Sequence, residues 1–322
     1  MEIMPKGYNK VVKKEFIKKI PVIGSLLQIF CNKLVSHFKV IREQQDDWTI
    51  RVEKVSTIYG NYFSWRGDTI TEQLIQYSAH TRNELAMIKT LISPGDNIVD
   101  IGAHIGTFSI PFSLFNKAQG KVFAFEANPE NYNLLRMNIV ENDVSSSVIP
   151  HLSVVSNTDS KYRMFLPEGG NSGMYTFIPG EDNSTVRRCV TNIDTWHNQN
   201  YKDVKIHFIK IDVEGAEVSV LESCQNLIRK YRPILYIEIN EFALSFFNRS
   251  FEDIERLLEL YEYHFFKNIG DRNSNNDLFE MSKLINLKEG GPFFDVLAIH
   301  PSNPKYPESL RRSDYREKEL RH

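Results

Sequence analysis

From residue 81 to residue 300 the sequence alternates short apolar segments with longer amphipathic ones. The apolar segments predict strands at 97–101, 121–126, 206–213, 234–240 and 294–299. The amphipathic segments predict helices at 84–92, 106–116, 129–141, 217–229 and 251–260. Apolar strands that alternate with helices form parallel sheets covered by helices on both faces. We therefore expect an α/β chain with a doubly wound, mostly parallel sheet.

The flanking segments have a different character. Residues 1–47 predict a basic helical extension, and residues 48–80 a small β-rich lead-in broken by glycines. The main domain then spans 81–300, and the polar tail 301–322 is expected to be loose. Within the domain, residues 151–205 interrupt the alternation with short β-prone pieces and a glycine-rich loop, so we expect them to contribute to a substrate pocket.

Charge is distributed unevenly along the chain. Residues 1–42 hold nine Lys or Arg against two Glu, whereas the whole chain has a formal charge of −2. The total charge of −2 argues against a dedicated nucleic-acid binder, which usually has a clear basic excess. The rest of the chain after residue 42 is therefore acidic. The basic segment favours either a helical lid packed on the main domain or a peripheral contact with an anionic membrane.

Two features bear on cellular location. The apolar run 20–30 is too short to span a bilayer, and no small-residue cleavage site follows it. The three cysteines are far apart and form no CxxC pair, which suits a reducing compartment. We expect a cytoplasmic protein, with the membrane contact through residues 1–42 as its alternative.

The most informative motif follows the predicted strand 97–101. It places Asp100, Gly102, His104 and Gly106 at alternate positions, just before a helix. A nicotinamide-binding turn would have the spacing GxGxxG. A carboxylate at the strand end instead suits a ligand with an ammonium group and would repel a pyrophosphate. Glu126 ends the next strand, 24 positions after Gly102, close to the offset at which an acid binds ribose hydroxyls. Together these residues predict a nucleoside-containing cofactor.

Three segments carry a resemblance to a known family. Residues 100–108, residues 124–131 and above all Lys-Ile-Asp-Val-Glu-Gly-Ala-Glu at 210–217, together with Asn138, resemble FkbM-type methyltransferases. The resemblance covers about residues 81–245. It implies a Rossmann-like fold, S-adenosylmethionine as cofactor, and O-methylation of sugars or natural products.

The motifs and the resemblance together give the expected cofactor ligands, which are Asp100, Gly102, Ala103, His104, Gly106, Glu126, Ala127 and Asn128. Two of these depart from the family pattern. His104 stands where Asn is common, and Ala127 where Pro is common.

Polar side chains follow the next two predicted strands. Because side chains alternate along a strand, Lys210 and Asp212 share one face, and Glu238 lies near the end of the neighbouring strand. Asp212 is the first candidate for the base or the group that orients the acceptor, and Lys210 would hold it ionised or bind the acceptor. Glu214 and Glu238 are second choices.

Two other interpretations of these residues stay open. Lys210 and Asp212 could form a buried ion pair that only organises the loop. Asp212 and Glu238 could instead hold magnesium. No His-rich cluster accompanies them, so no metal is expected.

The sequence thus predicts a methyltransferase that acts on a hydroxyl of a sugar, glycan or other small molecule, with no nucleic-acid partner. A nucleotide-dependent oxidoreductase and a catalytically silent binding protein of the same fold are the alternatives. The sequence does not indicate the oligomeric state.

Overall fold

The computed structural model describes residues 51–159, 161–165, 172–180, 186–187, 189–271 and 274–307. The fold below is that of the unit Lys54–His322, since only the last three residues of the preceding unit, Met1–Glu53, are among these. The predictions for the basic extension 1–47, and for most of the tail 301–322, lie outside the described residues.

The strands are β1 (Val52–Thr57), β2 (Gly60–Trp65), β3 (Ile98–Ile101), β4 (Val122–Glu126), β5 (Val148–Leu152), β6 (Val154–Val155), β7 (Lys161–Phe165), β8 (Thr176–Pro179), β9 (Val186–Arg187), β10 (Val190–Thr191), β11 (Phe208–Ile211), β12 (Ile234–Asn240), β13 (His264–Asn268), β14 (Met281–Leu284) and β15 (Phe293–Ile299). The helices are α1 (Thr69–Tyr77), α2 (Arg82–Leu91), α3 (Ser109–Phe115), α4 (Pro129–Glu141), α5 (Ile193–Asn200), α6 (Glu217–Ser223), α7 (Gln225–Tyr231), α8 (Glu241–Ser245) and α9 (Phe251–Glu259), with short 3₁₀ turns at Ser172–Met174 and Leu287–Gly290.

Eight strands form the central sheet, in the order β14-β13-β15-β12-β11-β3-β4-β5. The five strands from β12 to β5 are parallel, and β15 runs antiparallel between β12 and β13. This arrangement confirms the predicted doubly wound, mostly parallel α/β fold. From β3 the chain continues to β4 and β5 on one side of the sheet. After β11, which lies on the other side of β3, it continues to β12 in the opposite direction. Ligands of such sheets bind where the order reverses, at the carboxyl ends of the strands.

The core explains why the strands are apolar throughout. Every residue of β3, β4 and β11 is buried, because helices cover both faces of the sheet. One large cluster of buried aliphatic and aromatic side chains joins these strands to α6, α7 and α9. The predicted strands 206–213 and 234–240 were expected to be neighbours in the sheet. This is confirmed, since β11 pairs with β12 and Lys210 lies opposite Tyr236.

Several predicted boundaries are wrong. The helix expected at 106–116 begins only at Ser109, because Gly106 has a φ of 94° and cannot join a helix. The helix expected at 217–229 is divided at Cys224, whose backbone is not helical (φ −125°, ψ 21°). Strands β13 and β14 were not predicted at all.

The lead-in forms the predicted small sheet, in which β1 pairs with β2, and it packs on α4. The carboxamide of Asn138 receives a hydrogen bond from the N–H of Phe63 (2.6 Å) and donates to the carbonyl oxygens of Phe63 (3.1 Å) and Ile105 (2.8 Å). Asn142 bonds the backbone N–H and C=O of Asn61 in the same way (2.8 and 2.7 Å). The carboxamides of Asn138, on α4, and of Asn142, at its C-terminal cap, thus bond the backbone of β2 as a neighbouring strand would.

The described strands β6 to β10, within the segment 151–205, form two smaller sheets, β8-β7-β9 and β10-β6. The start of the tail is held rather than loose, because Tyr306 is buried and its hydroxyl lies 2.6 Å from His264 Nδ1. Within the described part of the chain, none of the helices combines the length and apolar character needed to cross a bilayer.

Candidate functional site

A pocket of about 1020 Å³, measured with its open mouth, lies at the carboxyl ends of β3, β4 and β11. Its walls come from the loop after β3, the ends of β4 and β11, the α1–α2 region and several described residues of the segments 153–156, 162 and 172–179. This is the point at which the strand order reverses. The main domain, the lead-in and the 151–205 segment therefore all contribute to one cavity.

The floor of the pocket is a turn that requires glycine. Gly102 has a φ of 80°, and a Cβ added there would overlap the carbonyl oxygen of Asp212. The N–H groups of Gly102 and Ala103 both donate to the Phe125 carbonyl oxygen at 2.9 Å. The turn is thus fixed between β4 and β11, and its backbone borders the pocket.

Glu126 is held by backbone donors at the pocket wall. Its carboxylate accepts hydrogen bonds from the N–H groups of His104 and Asn128, both at 2.7 Å. Burial raises the pKa of this carboxyl to about 7, although the two hydrogen bonds oppose the shift. The side chain of Asn128 caps α4 by accepting from the Glu130 N–H, and Ala127 lines the pocket.

Asp100, Lys210 and Asp212 form one charged group across β3 and β11. The Lys210 ammonium, 2% exposed, lies 3.5 Å from Asp100 Oδ1, 3.2 Å from Asp212 Oδ2 and 3.0 Å from the Gly102 carbonyl oxygen. Burial by itself would lower the pKa of Lys210, but the carboxylates of Asp212 and Asp100 outweigh it and raise this pKa above its usual value. The group therefore keeps a buried positive charge beside the pocket.

The two carboxylates of this group have different surroundings. Asp100 is completely buried, lies below the pocket surface and accepts a hydrogen bond from Ser109 Oγ at 2.6 Å. Burial raises the pKa of Asp100, and Lys210 opposes the shift. Asp212 is 29% exposed and lines the pocket. Only Asp212 can therefore meet a ligand directly.

Three further carboxylates surround Asp212. Burial, together with the charges of Asp212 and Glu217, raises the pKa of Glu214 to about 8. Glu217 is buried and accepts from the N–H groups of Val213 (3.2 Å) and Gly215 (3.1 Å), so it organises the loop, and burial raises its pKa to about 7. Glu238 is buried on β12, opposite Asp295.

Carboxylate oxygens of Asp212, Glu214 and Glu238 all lie within 4.8 Å of one another. Oxygen donors at such distances suit a divalent cation.

His104 connects the cofactor turn to the 151–205 segment. It has a φ of 50°, and its Nε2 lies 2.9 Å from Ser172 Oγ. Burial lowers the pKa of His104 to about 4, so the ring is neutral. The Ser172–Met174 turn is also bound by Asp68 Oδ2 (to the Ser172 N–H, 2.7 Å) and by Asn131 Nδ2 (to the Ser172 carbonyl oxygen, 3.0 Å).

The predicted residues divide by position. Gly102, Ala103, His104, Glu126, Ala127, Lys210, Asp212 and Glu214 line the pocket, whereas Asp100, Gly106, Asn128 and Glu238 are not among its lining residues. Ser172 belongs to the segment 151–205 that was expected to contribute to a pocket, whereas the sequence did not indicate the contributions of Ile70 and His80. They lie outside the motifs, and only long-range packing brings them to the pocket.

Comparison with known proteins gives one family. The model described as "Methyltransferase FkbM domain" matches residues 100–265, just over half of the chain. The tRNA (guanine(37)-N(1))-methyltransferase Trm5b of Methanocaldococcus jannaschii is 29% identical over 174 residues, which are 53% of this chain and 47% of the relative. Methyltransferase sdnD of Sordaria araneosa is 29% identical over 156 residues, 39% of this chain and 59% of the relative. The chain thus spans about half the length of the first relative and three fifths of the second.

Among solved structures, the methyltransferase FkbM of Methylobacillus flagellatus KT superimposes with a TM-score of 0.40 and 18% identity, covering 65% of this chain and 44% of that one.

Proposed function

The chain belongs to the FkbM methyltransferase domain family, and on that basis we propose that it transfers the methyl group of S-adenosylmethionine to a hydroxyl group of a sugar, glycan or other small molecule. Family membership favours this reaction over the oxidoreductase alternative. The bound cofactor supplies an electrophilic methyl group on a positively charged sulfur.

The residues of the pocket fit this cofactor. The turn at Gly102, where a Cβ would overlap the Asp212 carbonyl oxygen, would let the backbone approach a ligand closely, and the Glu126 carboxylate would accept hydrogen bonds from ribose hydroxyls. Asp100 keeps the turn in place from below through Lys210, whose ammonium bonds the Gly102 carbonyl oxygen. Glu126 and the backbone of residues 102–104 would therefore hold the nucleoside end.

One observation carries the proposal, namely a partly exposed carboxylate paired with a buried ammonium at the pocket wall. Asp212 accepts a hydrogen bond from the acceptor hydroxyl and aims its oxygen, while Lys210 keeps the carboxylate charged. Positioning of this kind supplies much of the acceleration of a transfer reaction. Lys210 itself stays an ammonium, since two carboxylates stabilise it.

The charge of the pocket favours a neutral acceptor. Asp212, Glu214 and Glu126 place carboxyl groups at its wall, and the chain carries a net charge of −2. Lys210 is the one Lys or Arg among the described residues that line the pocket, and Asp100 and Asp212 already pair with it, so the site has little positive charge with which to bind the phosphates of RNA. Although one relative is named as a tRNA methyltransferase, we therefore propose a small acceptor for this chain, and a cytoplasmic location with the basic residues 1–42 as a peripheral membrane contact.

The experiment is methyl transfer from S-adenosylmethionine with a tritiated methyl group. Methyl glycosides of common hexoses and deoxyhexoses, inositols and phenols are offered in parallel with unmodified tRNA. We expect transfer to at least one hydroxyl compound and none to tRNA. Asp212→Asn should bind S-adenosylhomocysteine as the wild type does and lose about 10²–10⁴-fold in rate.

Two outcomes contradict the proposal. Transfer to tRNA alone would assign the chain a nucleic-acid acceptor. S-adenosylhomocysteine binding without transfer to any acceptor would favour a catalytically silent binding protein.

A further inference from the structure

We propose that the methyl acceptor is an amphiphile. Its hydroxylated part enters the pocket, and an alkyl or aryl group attached to that part lies on an aromatic patch beside it, made of Phe165, Phe242 and Phe246. The ring centre of Phe246 is 4.9 Å from that of Phe242 and 5.5 Å from that of Phe165, and both pairs pack edge to face. This inference rests on the proposed methyl transfer and names the class of acceptor within it.

Helix α8 carries one side of the patch to the edge of the sheet at which the pocket lies. It begins where β12 ends, and β12 runs parallel to β11. The Asn240 side chain caps α8 by accepting from a backbone N–H of its first turn (3.2 Å), and it donates to Glu214 Oε2 (3.4 Å). Glu214 lines the pocket, with a carboxylate oxygen within 4.8 Å of one of Asp212. The helix that carries Phe242 therefore starts beside the acceptor end of the pocket.

Phe247 connects the patch with the cavity. It lines the pocket and directly follows Phe246 in the chain. A Cβ added at Gly215 would overlap the Ala243 carbonyl oxygen and would lie 2.9 Å from Cδ2 of Phe247. Helix α8 and the turn after it thus pack directly on the loop that follows β11, and the wall beyond Glu214 is aromatic.

The small sheet of β7 and β8 brings the third ring to the same loop. Phe165 pairs with Thr176 across these two strands. The Thr176 hydroxyl donates to the Glu214 carbonyl oxygen at 2.7 Å, and the preceding residue, Tyr175, lines the pocket. Two elements that are distant in the sequence therefore place aromatic rings around the loop that holds Glu214.

The patch and the pocket suit different parts of one molecule. Phe242 is 66% exposed, although its ring packs on that of the half-buried Phe246. A single exposed apolar side chain is ordinary, whereas adjoining rings beside a cavity are typical of a ligand-binding groove. Inside the cavity, Asp212 and Glu214 offer carboxyl groups to a hydroxylated compound. An alkyl or aryl group on that compound would cover Phe242 and remove the apolar surface of both partners from water, which favours binding.

The test compares each acceptor of the panel with its octyl derivative. A methyl glycoside is paired with the octyl glycoside of the same sugar, an inositol with its octyl ether and a phenol with its 4-octyl derivative. All octyl compounds are used below the concentration at which they form micelles. The wild type should methylate the octyl member with a kcat/KM at least about tenfold higher, because part of the chain is buried on the patch.

Phe242→Ala should reduce the preference for the octyl member about fivefold to tenfold. Its kcat/KM for the short member and its affinity for S-adenosylhomocysteine should stay within about twofold of the wild type, since Phe242 does not line the pocket. Phe242→Leu keeps an apolar side chain and should retain most of the preference. A folding defect would lower all of these quantities together, so the selective loss identifies the patch.

Leu260→Ala is the matched control. Leu260 is 70% exposed, follows α9 and does not line the pocket, so this variant should keep the full preference. Calorimetry provides a readout that does not depend on turnover. The octyl compound, titrated into the complex with S-adenosylhomocysteine, should bind the wild type and Leu260→Ala equally and Phe242→Ala about fivefold to tenfold more weakly.

Three results would count against these assignments. An equal kcat/KM for both members of every pair, or a preference that Phe242→Ala leaves intact, overturns the amphiphilic acceptor alone. If Phe242→Ala abolishes co-sedimentation with phosphatidylcholine vesicles and leaves the octyl preference unchanged, the patch is a membrane contact and the proposal is wrong. A wild type that methylates neither member of any pair refutes the proposed function instead.

Discussion

Replacing Glu126 by Gln tests whether the buried carboxylate binds the cofactor in its ionised form. Its pKa is raised to about 7 by burial. With that pKa, about a tenth of the molecules are ionised at pH 6 and about nine tenths at pH 8. Ribose hydroxyls donate hydrogen bonds, so they favour the ionised carboxylate. S-adenosylhomocysteine should therefore bind about tenfold more tightly at pH 8 than at pH 6, which is about 1.4 kcal/mol.

The Glu126→Gln substitution changes both the titration and the hydrogen bonds. A carboxamide does not titrate, so the affinity of this variant should not vary between pH 6 and pH 8. Its NH₂ group would also face either the His104 or the Asn128 N–H, each of which now donates at 2.7 Å. One backbone donor loses its acceptor, and the affinity at pH 8 should fall by about 1–3 kcal/mol.

Isothermal titration calorimetry with S-adenosylhomocysteine at pH 6, 7 and 8 measures both effects. Glu259→Gln is the control, because Glu259 is exposed on α9 and lies outside the pocket. A wild-type affinity that is equal at pH 6 and pH 8 would refute the reasoning. A pH dependence that survives in Glu126→Gln would assign the titration to another group, such as Glu214.

Three further predictions concern the turn, the carboxylates and the N-terminal charge. Gly102→Ala should unfold at a much lower temperature than Gly67→Ala, since both have positive φ but only the Cβ at 102 meets backbone; similar melting temperatures would contradict this. EDTA should leave methyl transfer unchanged, and a loss that magnesium restores would make Asp212, Glu214 and Glu238 metal ligands. Replacing the lysines at 13, 14, 18 and 19 by Gln should abolish co-sedimentation of the full chain with phosphatidylserine vesicles at low salt; persistence would exclude that contact.

The sequence predicts the centre of the fold well, because burial on both faces leaves a clear signal. The bounds of β12 and α4 agree with the prediction at both ends. In α4 the agreement has a local cause, namely Pro129 in the first turn after the capping Asn128. The sequence also predicts that Lys210 and Asp212 share a face, because side chains two positions apart in an extended segment point to the same side. The two charged groups do lie side by side, 3.2 Å apart.

The rest depends on contacts between distant residues. The ring of His104 is hydrogen-bonded to Ser172, which lies 68 positions later in the sequence, and no local sequence pattern predicts this contact. Strands β13 and β14 carry polar side chains near the edge of the sheet, where burial no longer demands an apolar run. The sequence does not indicate His80 as a pocket residue, because its turn precedes the motifs and only the packing of α1 brings it to the pocket.

The hydrogen bonds of the Asn138 carboxamide limit how chimaeric proteins can be made by exchanging segments between related methyltransferases. It joins the backbone of Phe63, in the lead-in, to the carbonyl oxygen of Ile105, in the loop that follows β3. A chimaera that joins at residue 81 or 100 a foreign N-terminal region with no strand in the place of β2 would leave this buried amide without its two partners on Phe63. The functional module to be transplanted therefore begins before β1, although the recognisable family segment begins at Asp100.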